Sequence, residues 1–177
     1  AYTWELIEVQ DTVPTWVGTN TALPNRVVKA ALLAHAMPEL ADYDTLETEV
    51  VYGQDRKSRI DLVLRRGDRS PLYIEVKNTT WVEGTLAMFP DTVTTRGQKH
   101  LRELIALQTS GEADTVMLYF INRGDCDRFA PGDAADPKYG ELLRAAIAAG
   151  VQVLPCCFAS SPTAITYQGL AQLQLDG

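Results

Sequence analysis

Apolar and polar positions alternate over Ser58 to Lys77 (SRIDLVLRRGDRSPLYIEVK), and this period of two predicts a β-hairpin. Ile60, Leu62 and Leu64 interleave with Arg59, Asp61 and Val63. Arg66 to Pro71 supplies a polar turn, and Leu72 to Lys77 returns as the second strand. With the turn centred on Asp68, Asp61 lies seven residues before it and Glu75 seven after. The two carboxylates then face each other across an antiparallel pair, with Lys77 on the same face as Glu75.

The remaining pattern predicts strands and helices in alternation. Thr3–Val9 and Thr15–Val17 read as short strands. Asn20 and Thr21 offer N-caps to a helix with Pro24 in its first turn. Its apolar face is Val27, Val28, Ala31, Leu32 and Ala34 to Met37, and Pro38 ends it. Leu46–Tyr52 is a strand that turns at Gly53 and Gln54 into the hairpin. Asn78–Thr92 reads as a loop. A helix follows, capped by Thr95 with Gln98 three residues on. Leu101, Leu104, Ile105 and Leu107 face its core side, whereas Arg96, His100 and Glu103 share another face. Thr115–Asn122 is a continuous apolar run that fits a buried strand. A loop over Arg123–Pro137 precedes a helix at Lys138–Ala149, closed by Gly150. Val151–Phe158 and Ala164–Gln168 complete the set. The order implies an α/β mixed sheet with crossover connections, folded as a single domain over residues 1–177.

The hairpin is where chemistry is expected. Two close carboxylates repel, and burial raises the cost. A hard divalent cation removes that penalty; Mg²⁺ (or Mn²⁺) takes one or two carboxylates and keeps several waters. Asp61, Glu75 and the Val76 carbonyl are the candidate ligands, and Lys77 is placed to orient an attacking water. The spacing D-x13-ExK is the core of the PD-(D/E)xK nuclease motif. The competing reading is a solvated face with an ordinary Glu–Lys pair.

Composition narrows the classes. The 177 residues, 46% hydrophobic, suffice for one core, and no run approaches a membrane-spanning length. No secretory signal is visible. Cys126, Cys156 and Cys157 lack zinc-type spacing; two adjacent cysteines in an apolar strand read as reduced core residues, which suggests a cytoplasmic setting. A net charge of −7 opposes simple nucleic-acid binding. Yet Asp55–Leu104 holds ten Lys/Arg against seven Asp/Glu, and the rest of the chain six against sixteen. The basic groups gather around the hairpin.

Phe89–Leu104 (FPDTVTTRGQKHLREL), EVVYGQDRKSRIDLVL, YIEVKNTTW and RFAPGDAADPKYGELLRAAIAAGVQVLP together resemble the SfsA, or sugar fermentation stimulation protein, family. The resemblance runs from about Tyr2 to Phe158. It implies a restriction-endonuclease-like, PD-(D/E)xK-type fold, an association with DNA, and a cytoplasmic protein. Asp61, Glu75 and Lys77 fall on the D…ExK positions. Asp91, Arg96, Lys99 and His100 fall on FPD…RGxKH. Asn20, Thr21, Asn25 and Arg26 fall on the N-T…N-R helix start, and Glu49 on the acidic position before the hairpin. From position and chemistry, Arg59, Arg96, Lys99 and His100 are candidates for nucleic-acid binding, with Glu49, Asp91 and Asn25 in support. The family's N-terminal OB-like domain is absent ahead of Tyr2, as in a fragment. The leading expectation is a Mg²⁺-dependent nuclease with little sequence preference. The alternative is a non-catalytic DNA-binding regulator linked to sugar (maltose) metabolism.

Overall fold

A computed structural model describes residues 3–11, 13–52 and 58–175. The expected turn at Gly53 and Gln54 lies outside them. The elements, in order, are β1 (Leu6–Gln10), β2 (Pro14–Gly18), α1 (Leu23–Leu33), β3 (Thr45–Tyr52), β4 (Ser58–Arg66), β5 (Arg69–Thr79), β6 (Trp81–Glu83) and β7 (Leu86–Phe89). Then come α2 (Thr95–Ser110), β8 (Asp114–Ile121), β9 (Arg128–Pro131), α3 (Pro137–Ala148), β10 (Gln152–Ser160), β11 (Ile165–Leu170) and β12 (Gln172–Leu173).

The main sheet runs β1-β2-β10-β8-β5-β4-β3, with β11 also on β10; a smaller sheet runs β12-β9-β7-β6. β5, β8 and β10 are mutually parallel, and α2 and α3 provide the crossovers that parallel neighbours need. The fold is thus mixed α/β, as expected. β8 is apolar from Val116 to Ile121 because both its faces are covered there. Met117, Tyr119 and Ile121 point into the core shared with α2 and α3. Val116, Leu118 and Phe120 point into the core under α1. No described helix is long and apolar enough to cross a membrane.

Local details depart from the sequence reading. α1 stops at Leu33, not at Pro38. Its last turn closes with Ala36 N–H on Ala31 O and His35 N–H on Leu32 O, with His35 left-handed at φ 51°. That is a Schellman closure, and it ends the helix before Pro38 is reached. The expected loop at 78–92 contains the β6–β7 hairpin, whose tight turn uses Gly84 at φ 59°. The expected loop at 123–137 contains β9. α2 is capped by Thr94 rather than Thr95, with the Thr94 hydroxyl accepting from Gly97 N–H.

The central hairpin has the expected register. Leu62 pairs with Ile74 and Leu64 with Leu72, a centre at Asp68. The turn itself is tighter, Arg66 facing Arg69, and an irregularity between Leu64 and Arg66 restores the register. The expected single face for Ile60, Leu62 and Leu64 does not hold. Ile60 packs with Val63 on the α2/α3 side, whereas Leu62 and Leu64 pack under α1. The pleat breaks at Asp61. On the neighbouring strand Glu49 sits between the paired residues Thr48 and Val50 at φ 56°, a conformation L-residues adopt at a cost of about 1–2 kcal/mol.

Candidate functional site

That break places a carboxylate where a strand would continue. β4–β5 pairing extends to Leu62↔Ile74, and just beyond it the Asp61 Oδ2 accepts the Val76 N–H at 2.8 Å. Asp61 Oδ1 accepts from the Asn25 side chain at 2.8 Å. Asn25 is delivered by the first turn of α1, in which Pro24 is the second residue. Asn20 steadies that start by accepting from Ala22 N–H at 3.0 Å while its own amide donates to Glu5.

Glu75, 4% exposed, lies across from Asp61 on β5. Its Oε1 accepts from Lys77 Nζ at 2.5 Å and is in contact with His100 Nδ1. Lys77 Nζ and His100 Nδ1 are 3.0 Å apart. With its proton on Nδ1, His100 donates to Glu75, so one carboxylate oxygen collects both donors. Burial pushes the Glu75 carboxyl up, but the His100 hydrogen bond and the Lys77 charge outweigh it and hold it below its ordinary value. Asp61 moves the other way. Burial, then the charge of Glu75, raises it, and the Val76 and Asn25 hydrogen bonds only partly compensate.

These groups line a polar cavity of about 470 Å³ with Thr21, Arg26, Glu49, Val76 and Arg96. The carboxylates come from β3, β4 and β5, and the cations from β5 (Lys77) and the starts of α1 and α2. α2 is itself tied down. Glu103 accepts from Tyr52 Oη at 3.0 Å and from Ser58 Oγ, so it fastens α2 to β3 and β4 instead of facing the carboxylates. Asp136, 2% exposed, caps α3 through Tyr139 N–H and also accepts from Thr94 N–H and the Gln98 side chain. Gln98 is therefore engaged by Asp136.

Other candidates lie at the margin. Arg59 reaches Glu49 at 3.4 Å, and Lys99 reaches Glu103 at 3.4 Å; Arg59 and Lys99 are more than half exposed. Asp91 is exposed on the loop before α2 and does not line the cavity. Among the described residues no three His, Cys, Asp or Glu side chains form a ready metal cluster. The donor set instead fits a hard cation that takes one or two carboxylates and completes its shell with water, for which the polar cavity has room. The cysteines are buried, and burial pushes the Cys157 thiol up to about 11, which leaves it a poor nucleophile.

The model of the family described as Sugar fermentation stimulation protein RE domain matches residues 22–164, from the start of α1 to the edge of β11. The chain belongs to the SfsA family. It is 67% identical to the sugar fermentation stimulation protein homolog of Picosynechococcus sp., covering 97% of this chain and 68% of that one. It is 63% identical to the homolog of Cyanothece sp., over 99% of this chain and 72% of the relative. Among solved structures, Pyrococcus furiosus SfsA in complex with Ca²⁺ superposes with a TM-score of 0.82 at 23% identity, covering 96% of this chain and 76% of that chain. The SfsA fold is shared with that protein. The family expected from Phe89–Leu104 is the one found, and its matched segment contains every residue placed in the cavity except Thr21.

Proposed function

We propose that this SfsA-family chain is a divalent-metal-dependent phosphodiester hydrolase acting on nucleic acid, built on a restriction-endonuclease-like core. The observation that carries this reading is the meeting of Asp61, Glu75 and Lys77 at the pleat break, open to a polar cavity. Asp61, Glu75 and the Val76 carbonyl would hold Mg²⁺ (or Mn²⁺). Bound there, the ion would acidify water and neutralise phosphate charge. The Ca²⁺ in the Pyrococcus furiosus relative supports an oxygen-ligated cation, since Ca²⁺ and Mg²⁺ share ligand chemistry.

The chain's own groups have distinct tasks. Asn25 and the Val76 N–H fix the Asp61 carboxylate in one orientation. His100 holds Glu75 ionised and leaves the Lys77 ammonium at the cavity wall, where it faces charge that develops on a phosphate. Arg96 lines the same cavity, with Arg59 and Lys99 beside it, and these supply phosphate contacts that carry no base information. A DNA-binding regulator without turnover is the second reading. It is favoured by one observation: Lys77 and His100 already compensate Glu75 without a metal ion.

Calorimetric titration of Mg²⁺ and Mn²⁺ into wild type and Asp61→Ala, with and without an oligonucleotide, separates the two. The hydrolase reading expects saturable binding lost in the variant, together with strand scission. Metal-indifferent binding of nucleic acid with no scission would overturn it in favour of the regulator.

A further inference from the structure

The central cavity does not end at the carboxylates. A second cavity of about 230 Å³ adjoins it and shares Asn25, Arg26, Glu49 and Asp61 as lining. A third, of about 160 Å³, shares Arg96 and His100 and continues past Arg59 and Lys99. The two flanking cavities have no lining residue in common, so they meet the centre from different sides, one along α1 and the other along α2.

Cations are distributed along this line in a specific way. The side chains of Arg26, Lys29, Arg96 and Arg102 make no ion pair or hydrogen bond with any other described residue. Arg26, Lys29 and Arg96 all line the connected cavities, Arg26 and Lys29 at the α1 end and Arg96 at the α2 end. The acidic residues there are engaged: Glu49 by Arg59, Glu103 by Tyr52, Ser58 and Lys99. In a chain of net charge −7, leaving these cations unpaired at both ends of one groove is informative.

We propose that the three cavities form one continuous groove that tracks the backbone of a single polynucleotide strand, with phosphates on both sides of the carboxylates held by Arg26 and Lys29 at one end and by Arg96 at the other. The inference rests on the hydrolase reading only for its consequence: scission is internal, because the strand continues past the site in both directions. Concave cavities between α1, β4 and α2 accept a flexible strand whose phosphates bend inward. A duplex presents its phosphates on a convex, stiff surface. The bond broken is an internal P–O ester. Water supplies the new P–O bond, one of its protons ends on the leaving sugar oxygen, and the other is released.

The test has a binding arm that needs no turnover. A labelled single-stranded oligonucleotide is titrated in chelator between about 50 and 200 mM salt. Each phosphate neutralised on a single strand contributes about −0.7 to the slope of log affinity against log salt, so three cations predict about −2. Arg26→Ala/Lys29→Ala should make the slope shallower by about 1.4, and Arg96→Ala by about 0.7. An unchanged slope in either variant overturns the groove. In the second arm, with Mg²⁺, covalently closed single-stranded circles and their linear form are compared. Conversion of circles to linear products supports the inference. Shortening of linear strands alone overturns it and leaves the hydrolase reading standing. If neither substrate is cut, the hydrolase reading fails, and the salt slopes alone decide for or against the groove.

Discussion

Removing the Asp136 carboxylate should loosen two helices at once. In Asp136→Ala, α3 loses its cap on Tyr139 N–H, at 3.0 Å, which costs about 1 kcal/mol. The Thr94 N–H, at 2.9 Å, and the Gln98 amide, at 3.0 Å, lose a charged acceptor in a part-buried setting, which costs about 1–3 kcal/mol more. The total is about 2–4 kcal/mol, and at about 2–4 °C per kcal/mol for a chain of this size Tm should fall by roughly 4–16 °C. Asp136→Asn keeps one acceptor oxygen and should recover part of this. The pH dependence has a definite sign. Burial raises the Asp136 carboxyl, but the Thr94 N–H and the Gln98 amide outweigh it and hold the folded pKa below 3.8. Its share of stability is therefore present above pH 3.8 and is lost as pH falls through the folded value. Thermal unfolding of wild type and both variants from pH 7 down to about pH 3 measures this directly. A Tm fall under about 2 °C in Asp136→Ala would refute the role of Asp136 in holding both helices. Because Thr94 caps α2 and α2 carries Arg96 and His100, strand binding should weaken in the same variant.

Other perturbations read separate parts of the site. Asp61→Asn removes like-charge repulsion while an amide flip at Asn25 keeps both hydrogen bonds, so it should gain about 1 kcal/mol at pH 7 while losing metal binding. Since the Asp61 pKa is raised in the fold, that gain should shrink as pH drops through the raised value; a variant no more stable than wild type at pH 7 contradicts the repulsion argument. Glu75 is shifted the other way, so its contribution is present above about pH 4.5 and is lost as pH falls through the lowered folded value; acid titration of wild type should be steeper there than that of Glu75→Gln. Gly132→Ala would set a Cβ 2.1 Å from the Pro90 carbonyl oxygen, a backbone atom that no rotamer change relieves. A loss of about 1–3 kcal/mol is expected in chemical denaturation, and an unchanged midpoint would show that the loop before α2 yields freely.

How far the sequence reached depends on how local each determinant is. β8, α2 and α3 are long, periodic or flanked by clear stops, and hydrophobic pattern alone locates them. The hairpin register follows from counting residues to Asp68, because a local irregularity offsets the tighter turn. β6, β7 and β9 escaped because strands of three or four residues carry too few alternations to register as a period. The end of α1 escaped because His35 takes a position that usually signals itself as glycine. Asp61, Glu75 and Lys77 were legible as a spacing, and His100 as a helix face. The Asp136 bonds to Thr94 and Gln98 were not, since they span 42 and 38 residues, and no local rule pairs them. A cap signal did exist in Asp136–Pro137, the usual pairing of a carboxylate cap with proline in the first turn.

The site concentrates features that stability alone would remove. A pleat breaks, Glu49 takes a left-handed conformation, and two carboxylates share a partly buried face. Each is unfavourable in isolation, and together they occupy one region while the rest of the sheet is locally consistent. The surrounding bonds show how the region is held: Asn25 and Val76 fix Asp61, His100 and Lys77 fix Glu75, and Asp136 and Glu103 fix the helix that brings His100. A solvated Glu–Lys pair, the ordinary reading of the motif, would need none of this support. Glu75 at 4% exposure is not such a pair, and its opposite displacement from Asp61 divides one carboxylate held ionised from one that resists ionisation. A cation arriving at the cavity would relieve Asp61 more than Glu75. On the proposed reading, metal binding should lower the Asp61 pKa and release protons on titration, which calorimetry in buffers of different ionisation enthalpy detects. Binding with no proton release across the range where Asp61 titrates would place the cation elsewhere.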